Sequence, residues 1–250
     1  MRGSLKNRKE RGENKVDQKE WLEKVLKEEY HVVSRIKKTE KGEVLRLRHK
    51  QSGRDLLEKE FYGDGEAYRL LTQYQILGIP EVYEAVSHDG QWLILEEWVD
   101  GITVAEILKQ GLYKEAGARK LLSALCDSLS ALHSIRIVHR DIKPENVMIT
   151  NEGDVRLLDF DAARIYKPFQ TKDTEVLGTV GYAAPEQFGF RQSDYRTDIY
   201  ALGVLGNVML TGEHPSVKLY HGKLGRVIET CIQTNPEKRF QSIEELKRKI

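Results

Sequence analysis

The segment HRDIKPENVMI, residues 139–149, brings a histidine, an arginine, a carboxylate, a lysine and an amide into one tight turn. Asp141 can accept the proton of an attacking hydroxyl, and Lys143 can neutralise charge on a migrating phosphoryl group. Asn146 can offer its amide oxygen to a hard cation such as Mg2+. A second turn follows closely in LLDFDAAR, residues 157–164, where Asp159 is another hard oxygen donor. The apolar runs VMI and VRLL between the turns read as a small hairpin that would hold both carboxylates side by side. Mg2+ prefers one or two carboxylates plus phosphate oxygens to a full protein cage. Residue types and spacing together therefore suit phosphoryl transfer.

The elements that must position these residues differ between the two parts of the chain. Residues 1 to about 16 read as a charged tail. DQKEWLEKVLKEEY then places Trp21, Leu22, Val25 and Leu26 on one helical face, as in a short helix packing on a domain edge. YHVVSRI, VLRLRHK, RDLLEKEF, EVYEAVSH and QWLILEEW read as strands, with turn signals at QSG and HDG. Between them, DGEAYRLLTQYQIL switches to helical period, with Ala67, Leu70, Leu71 and Tyr74 on one side and Asp64 as N-cap. After VDG the character becomes helical, and Leu122, Leu125, Leu129 and Leu132 form a stripe along one long helix. The stretch up to about residue 195 is irregular, and the end is helical again.

With 250 residues, a formal charge of +1 and 40% hydrophobic content, the chain can bury a sizeable core. The charge gives no argument for nucleic acid or an anionic membrane as partner. No apolar run approaches the roughly 20 residues that would span a bilayer. The charged start lacks the apolar segment of a secretory signal. Cys126 and Cys231 lie far apart and without a CxxC partner, which fits reduced thiols and a cytoplasmic location.

Four ordered motifs carry a family resemblance. H-R-D-x-K-P-x-N is complete at 139–146, and GTVGYAAPE at 178–186 resembles the end of an activation loop. Asp198 in RTDIYALGV matches an aspartate that anchors the catalytic loop, and Arg239 in NPEKRF matches the arginine that pairs with the glutamate of the APE motif, here Glu186. Over about residues 30–250 the chain resembles a eukaryotic-type protein kinase of the small serine/threonine kind found in bacteria. The resemblance implies an α+β, two-lobed protein-kinase-like fold. After a charged extension with a short amphipathic helix (1–29) would come a β-rich N-lobe with one helix (30–96), then a hinge and α-rich C-lobe (97–250). It implies ATP and Mg2+ as cofactors and a protein substrate with a serine or threonine acceptor. Asp141, Lys143 and Asn146 would be catalytic, with Asn146 and Asp159 holding the metal. Lys59 would grip the ATP phosphates and pair with Glu66, Leu70 lying beneath that glutamate; Gly42, Val44, Glu97, Val99 and Met148 would contact the nucleotide. Arg140 suggests ordering of the activation loop by phosphate, with Thr171 or Thr174 as autophosphorylation sites. Lys143 with Thr179 resembles serine/threonine specificity.

Several positions depart from the family pattern. Lys37 and Thr39 stand where the phosphate-binding loop has glycines, leaving only Gly42. Either nearby lysines such as Lys37, Lys38 or Lys41 supply charge, or the segment is a plain hairpin tip. Leu57 replaces a small residue over the adenine, and Glu96 stands at the gatekeeper position, where a buried acid requires a partner. Asp161 replaces the glycine of DFG, and a side chain there should make that segment flip less easily. The helix after Gly212 looks abbreviated. The departures keep open a catalytically weak or inactive scaffold or nucleotide sensor. A small-molecule phosphotransferase ranks last, since such enzymes lack the GTVGYAAPE platform.

Overall fold

Five short early segments rich in apolar and β-branched residues pair into one antiparallel sheet, β1-β2-β3-β5-β4. Its strands are β1 (Tyr30–Thr39), β2 (Gly42–His49), β3 (Asp55–Tyr62), β4 (Val82–His88) and β5 (Gln91–Glu97). They come from a computed structural model that describes residues 15–40, 42–167, 181–188 and 193–250. Lys41, Thr171, Thr174 and Thr179 lie outside the described residues. The chain divides into a first unit, running to Gln75 and resuming at Pro80–Val99, and a second, Ile76–Ile79 with Asp100–Ile250.

In the first unit, helix α1 (Lys15–Glu29) covers one face of the sheet. Leu22, Leu26 and Tyr30 pack there with Leu47, Leu56, Leu93 and Leu95. The amphipathic stripe finds its apolar partner within this unit, so the helix is part of the unit's core. Pairing of β3 with β5 sets Leu57 opposite Glu96 and Lys59 opposite Ile94. Directly opposed residues share a face, so these four side chains lie on the side away from α1. Val44, opposite Lys59 on β2, joins them.

Helix α2 (Glu66–Leu71) is shorter than the periodic run that predicts it. The amides of Gln73 and Tyr74 bond back to the carbonyls of Leu70 and Leu71, tightening the chain into a turn. Leu77 beyond it is 92% exposed. Gly65, not Asp64, sits at the N-cap; the Asp64 carboxylate instead accepts the Glu66 amide at 3.0 Å. Ala67, Tyr68 and Leu71 are the buried residues, whereas Tyr74 is exposed.

The second unit is mostly helical: α3 (Val104–Leu108), α4 (Glu115–Ser134), α5 (Tyr195–Thr211), α6 (Gly225–Cys231) and α7 (Ile243–Lys247). The stripe on α4 is buried, including Leu122, Leu125, Leu129 and Leu132. Its short strands form a three-stranded sheet and a two-stranded pair. β6 (Gly101–Thr103), β8 (Val147–Thr150) and β9 (Val155–Leu157) make the sheet, and β7 (Ile137–Val138) pairs with β10 (Arg164–Ile165). Cys126 and Cys231 are free and buried, and burial raises both thiols, Cys126 to about 12. A β-rich first unit and a helical second one make up the α+β fold expected from the sequence.

Candidate active site

The two chemical turns of the second unit flank a real hairpin. β8 and β9 pair through Val147–Leu157 to Ile149–Val155, and the Leu158 amide donates to the Asn146 carbonyl at 2.7 Å. The start of the second turn is thereby bonded to the end of the first. Lys143 Nζ lies 2.7 Å from Asp141 Oδ2. Asn146 Nδ2 donates to the same oxygen at 3.0 Å and to the Asp141 carbonyl at 2.8 Å. These bonds fix the Asn146 amide with its oxygen turned away from Asp141.

His139 ties the turns together from beneath. Its Nε2 donates to the Leu158 carbonyl at 3.1 Å, and its Nδ1 accepts the Asp141 amide at 3.3 Å. Burial lowers the imidazole pKa, although the carboxylates of Asp198, Asp141 and Asp159 act to raise it. The neutral ring, one nitrogen protonated, fits this donor and acceptor arrangement. Phe160 packs edge-on against it at 4.9 Å between ring centres.

Asp198, inside α5, is fully buried. It accepts the amides of His139 at 3.0 Å and Arg140 at 2.9 Å, and His133 Nε2 at 2.8 Å. Burial alone would raise its carboxyl pKa; the His133 hydrogen bond and the Arg140 amide outweigh burial and hold it below the ordinary range. Arg140 needs this anchor, because its φ of 69° lies in the left-handed region. Its carbonyl is bound in turn by Gln187 Nε2 at 2.8 Å. Arg239 makes a two-pronged pair with buried Glu186, at 2.7 and 2.9 Å, and Thr197 Oγ1 donates to the same carboxylate.

Asp159 also has a positive φ, 64°, and its Oδ1 accepts the Asp161 amide at 3.3 Å. Asp161 does not share the left-handed conformation. An aspartate where the family pattern has glycine thus meets no backbone penalty in this arrangement.

In the first unit, buried Lys59 projects from β3 and donates to Tyr68 Oη at 2.9 Å. Glu96 Oε1 lies 3.4 Å from its Nζ. The expected Lys59–Glu66 pair is not formed. Glu66 is exposed and bonds Arg69 at 2.9 Å, while Arg69 is itself held by Ser87 at 2.9 Å and stacks on Trp92. Leu70 is half-buried. Sequence reasoning missed Tyr68 and Glu96 as partners of the lysine. The signal was the period of two along β3 and β5, which puts a residue opposite Leu57 on the lysine's face.

Gly42 stands at the start of β2, paired with Thr39 and Phe61. A Cβ there would meet the Glu60 carbonyl oxygen at 1.9 Å. The strand's close approach to β3 therefore requires this glycine, whatever else it does. Lys37 and Lys38 are exposed on β1, beside the hairpin tip. The Glu97 amide donates to the Glu81 carbonyl at 2.8 Å, and its carboxylate accepts the Glu81 amide at 3.1 Å. Val44, Val99 and Met148 are half-buried.

The model of the protein kinase domain family matches residues 29–247. Serine/threonine-protein kinase PknA of Nostoc sp. is 32% identical over 192 residues, covering 67% of this chain and 34% of that protein. The probable serine/threonine-protein kinase PknB of Corynebacterium glutamicum is 37% identical over 136 residues, 52% of this chain and 21% of that protein. An Aurora kinase of Candida glabrata is 28% identical over 216 residues, 82% of this chain and 60% of that protein. The chain spans about a third or less of the first two relatives. Because the family match takes in the sheet, the buried lysine and both chemical turns, the chain belongs to the protein kinase domain family.

Proposed function

We propose that this chain transfers the terminal phosphoryl group of ATP to a serine or threonine hydroxyl of a protein. The observation that carries the reading is the Asp141–Lys143–Asn146 cluster, in which one carboxylate oxygen gathers an ammonium and an amide. Asp141 accepts the proton of the acceptor hydroxyl as the new P–O bond forms and the bond to the leaving diphosphate breaks. Lys143, held on Asp141, presents positive charge where the transferred phosphoryl group carries negative charge. The relatives from Nostoc sp. and Corynebacterium glutamicum, named as serine/threonine-protein kinases, support the choice of acceptor.

The donor set fits a magnesium ion. Asn146 turns its amide oxygen away from Asp141, and Asp159 supplies a carboxylate on the adjoining turn; two hard oxygen donors suit Mg2+ completed by phosphates and water. Bound there, Mg2+ would neutralise charge on the phosphate oxygens. Lys59 supplies a buried ammonium for the phosphates, and Val44, on the same sheet face, offers apolar surface to the base. Glu97, Val99 and Met148 would complete the nucleotide contacts.

A second reading, a weak or inactive scaffold, draws on one observation: Glu66 faces solvent and leaves the lysine. Incubation with γ-labelled ATP and Mg2+, with a basic protein as acceptor, decides between them. Label on serine or threonine that disappears in Asp141→Asn and Asp159→Asn is the expected result. No label from correctly folded parent protein would refute the transferase reading.

A further inference from the structure

Lys59 and Glu96 are 6% and 3% exposed. Both charges are almost wholly removed from solvent, so each requires an opposite charge close by. The sheet supplies it. With Lys59 opposite Ile94, Glu96 sits two residues along on the same face, a diagonal neighbour within reach of a long side chain. The ammonium and carboxylate are 3.4 Å apart.

Helix α2 offers Lys59 a different group. Its inward residue is Tyr68, fully buried, whose hydroxyl accepts from the lysine at 2.9 Å. Glu66, two residues earlier, faces away from Tyr68 on the helix and is held outward by Arg69. Arg69 is fixed by Ser87 and by stacking on Trp92 at 4.6 Å. Turning Glu66 inward would break that set and displace Tyr68.

We propose that Glu96, not Glu66, is the positioning residue for Lys59. The lysine's charge partner is then set inside the sheet, by two adjacent strands, while α2 adds the Tyr68 hydroxyl. The glutamate at the gatekeeper position is the substitution that makes an outward Glu66 tolerable. This inference deepens the proposed function, since it matters for catalysis only if Lys59 grips nucleotide phosphates.

The test reads the amine itself in nucleotide-free protein. N-hydroxysuccinimidyl acetate is applied at a fixed, mildly alkaline pH, and modification of Lys59 is followed by peptide mass spectrometry. A carboxylate partner keeps the amine protonated and unreactive. Glu96→Gln should therefore raise the acylation rate of Lys59 by about tenfold. Glu96→Met should do the same, and stands in if the glutamine variant does not fold. Glu96→Asp, which keeps the charge, should react more slowly than either, and Glu66→Gln should match the parent. Acceleration by Glu66→Gln alone, or by no variant, would overturn the proposal. In phosphoryl transfer, Glu96→Gln should lower kcat/KM for ATP by about ten- to a hundredfold through misplacement of the lysine. A rise in transfer would make Glu96 a brake on Lys59 and would also overturn the proposal. Protection of Lys59 from acylation by Mg-ATP tests the phosphate-gripping role separately. Parent protein that shows no protection or transfer would refute the functional reading and leave the acylation comparison standing.

Discussion

Asp198 accepts the backbone amide of Arg140 at 2.9 Å from the interior of α5, fifty-eight positions away in sequence. The bond holds Arg140 in a left-handed conformation that a side-chain-bearing residue adopts at a cost. The adjoining His139 amide takes the second oxygen. One buried carboxylate thus fixes the backbone immediately before Asp141. In Asp198→Asn an NH2 group must face one of three donors. The variant should lose about 2–4 kcal/mol of stability in urea unfolding. Phosphoryl transfer should fall at least tenfold under conditions where the variant is still folded. Unchanged transfer would show that Asp141 is positioned without this anchor.

Arg239 and Glu186 are both buried and joined by two hydrogen bonds. Arg239→Met should cost about 3–5 kcal/mol, because it leaves the Glu186 carboxylate inside the protein without its guanidinium. Most of that loss is a penalty on the stranded charge. Arg239→Met combined with Glu186→Leu should therefore be more stable than Arg239→Met alone. Denaturant midpoints of the single and double variants measure the difference, and additive losses would count against this account.

Much of this architecture is legible in the sequence. The strand segments follow from short β-like runs and turn residues, and the turn holding Asp141, Lys143 and Asn146 is continuous in the chain, so its members could not be far apart. Asp198 and Arg239 are recognisable only through the family pattern, since their partners lie more than fifty positions away. The partner of Lys59 is not legible in the sequence, for a physical reason. Helical period alone puts Glu66 and Leu70 on one face, but burial of Ala67, Tyr68 and Leu71 rotates the helix and sends Glu66 to solvent. The competing partner, Glu96, becomes visible only once β3 and β5 are in register. Helix α2 is shorter than its sequence period, because apolar period continues past Leu71, where the backbone tightens into a turn.

Gly42 offers a test of what the β1–β2 hairpin demands. Its missing side chain leaves space for the Glu60 carbonyl, which a Cβ would meet at 1.9 Å. Gly42→Ala should therefore push β2 from β3 and destabilise the protein by about 1–3 kcal/mol. If the glycine served only the nucleotide, the same variant would weaken ATP binding and leave the melting temperature unchanged. Calorimetry without nucleotide separates the two outcomes.

Glu58 gives the first unit a dependence on pH. It projects from β3 towards α1, beside a cavity of about 330 Å3 that Glu23, Glu60, Tyr30 and Leu47 also line. Burial, followed by the charges of Glu60, Glu23 and Glu43, raises its carboxyl from 4.5 to about 7. The unfolded chain ionises this group near its ordinary value, whereas the folded chain keeps the proton up to about pH 7. Between those values the folded state binds the extra proton, so stability falls as pH rises through the window. The contribution is present in full below the unfolded value and is lost above about pH 7. Glu58→Gln keeps the shape and removes the ionisation. It should be more stable than the parent at pH 8, by an amount on the order of 2 kcal/mol, and the two should converge towards pH 4. Urea unfolding of both proteins across this range is the measurement. A stability difference that does not change with pH would mean that Glu58 ionises alike in the folded and unfolded chains.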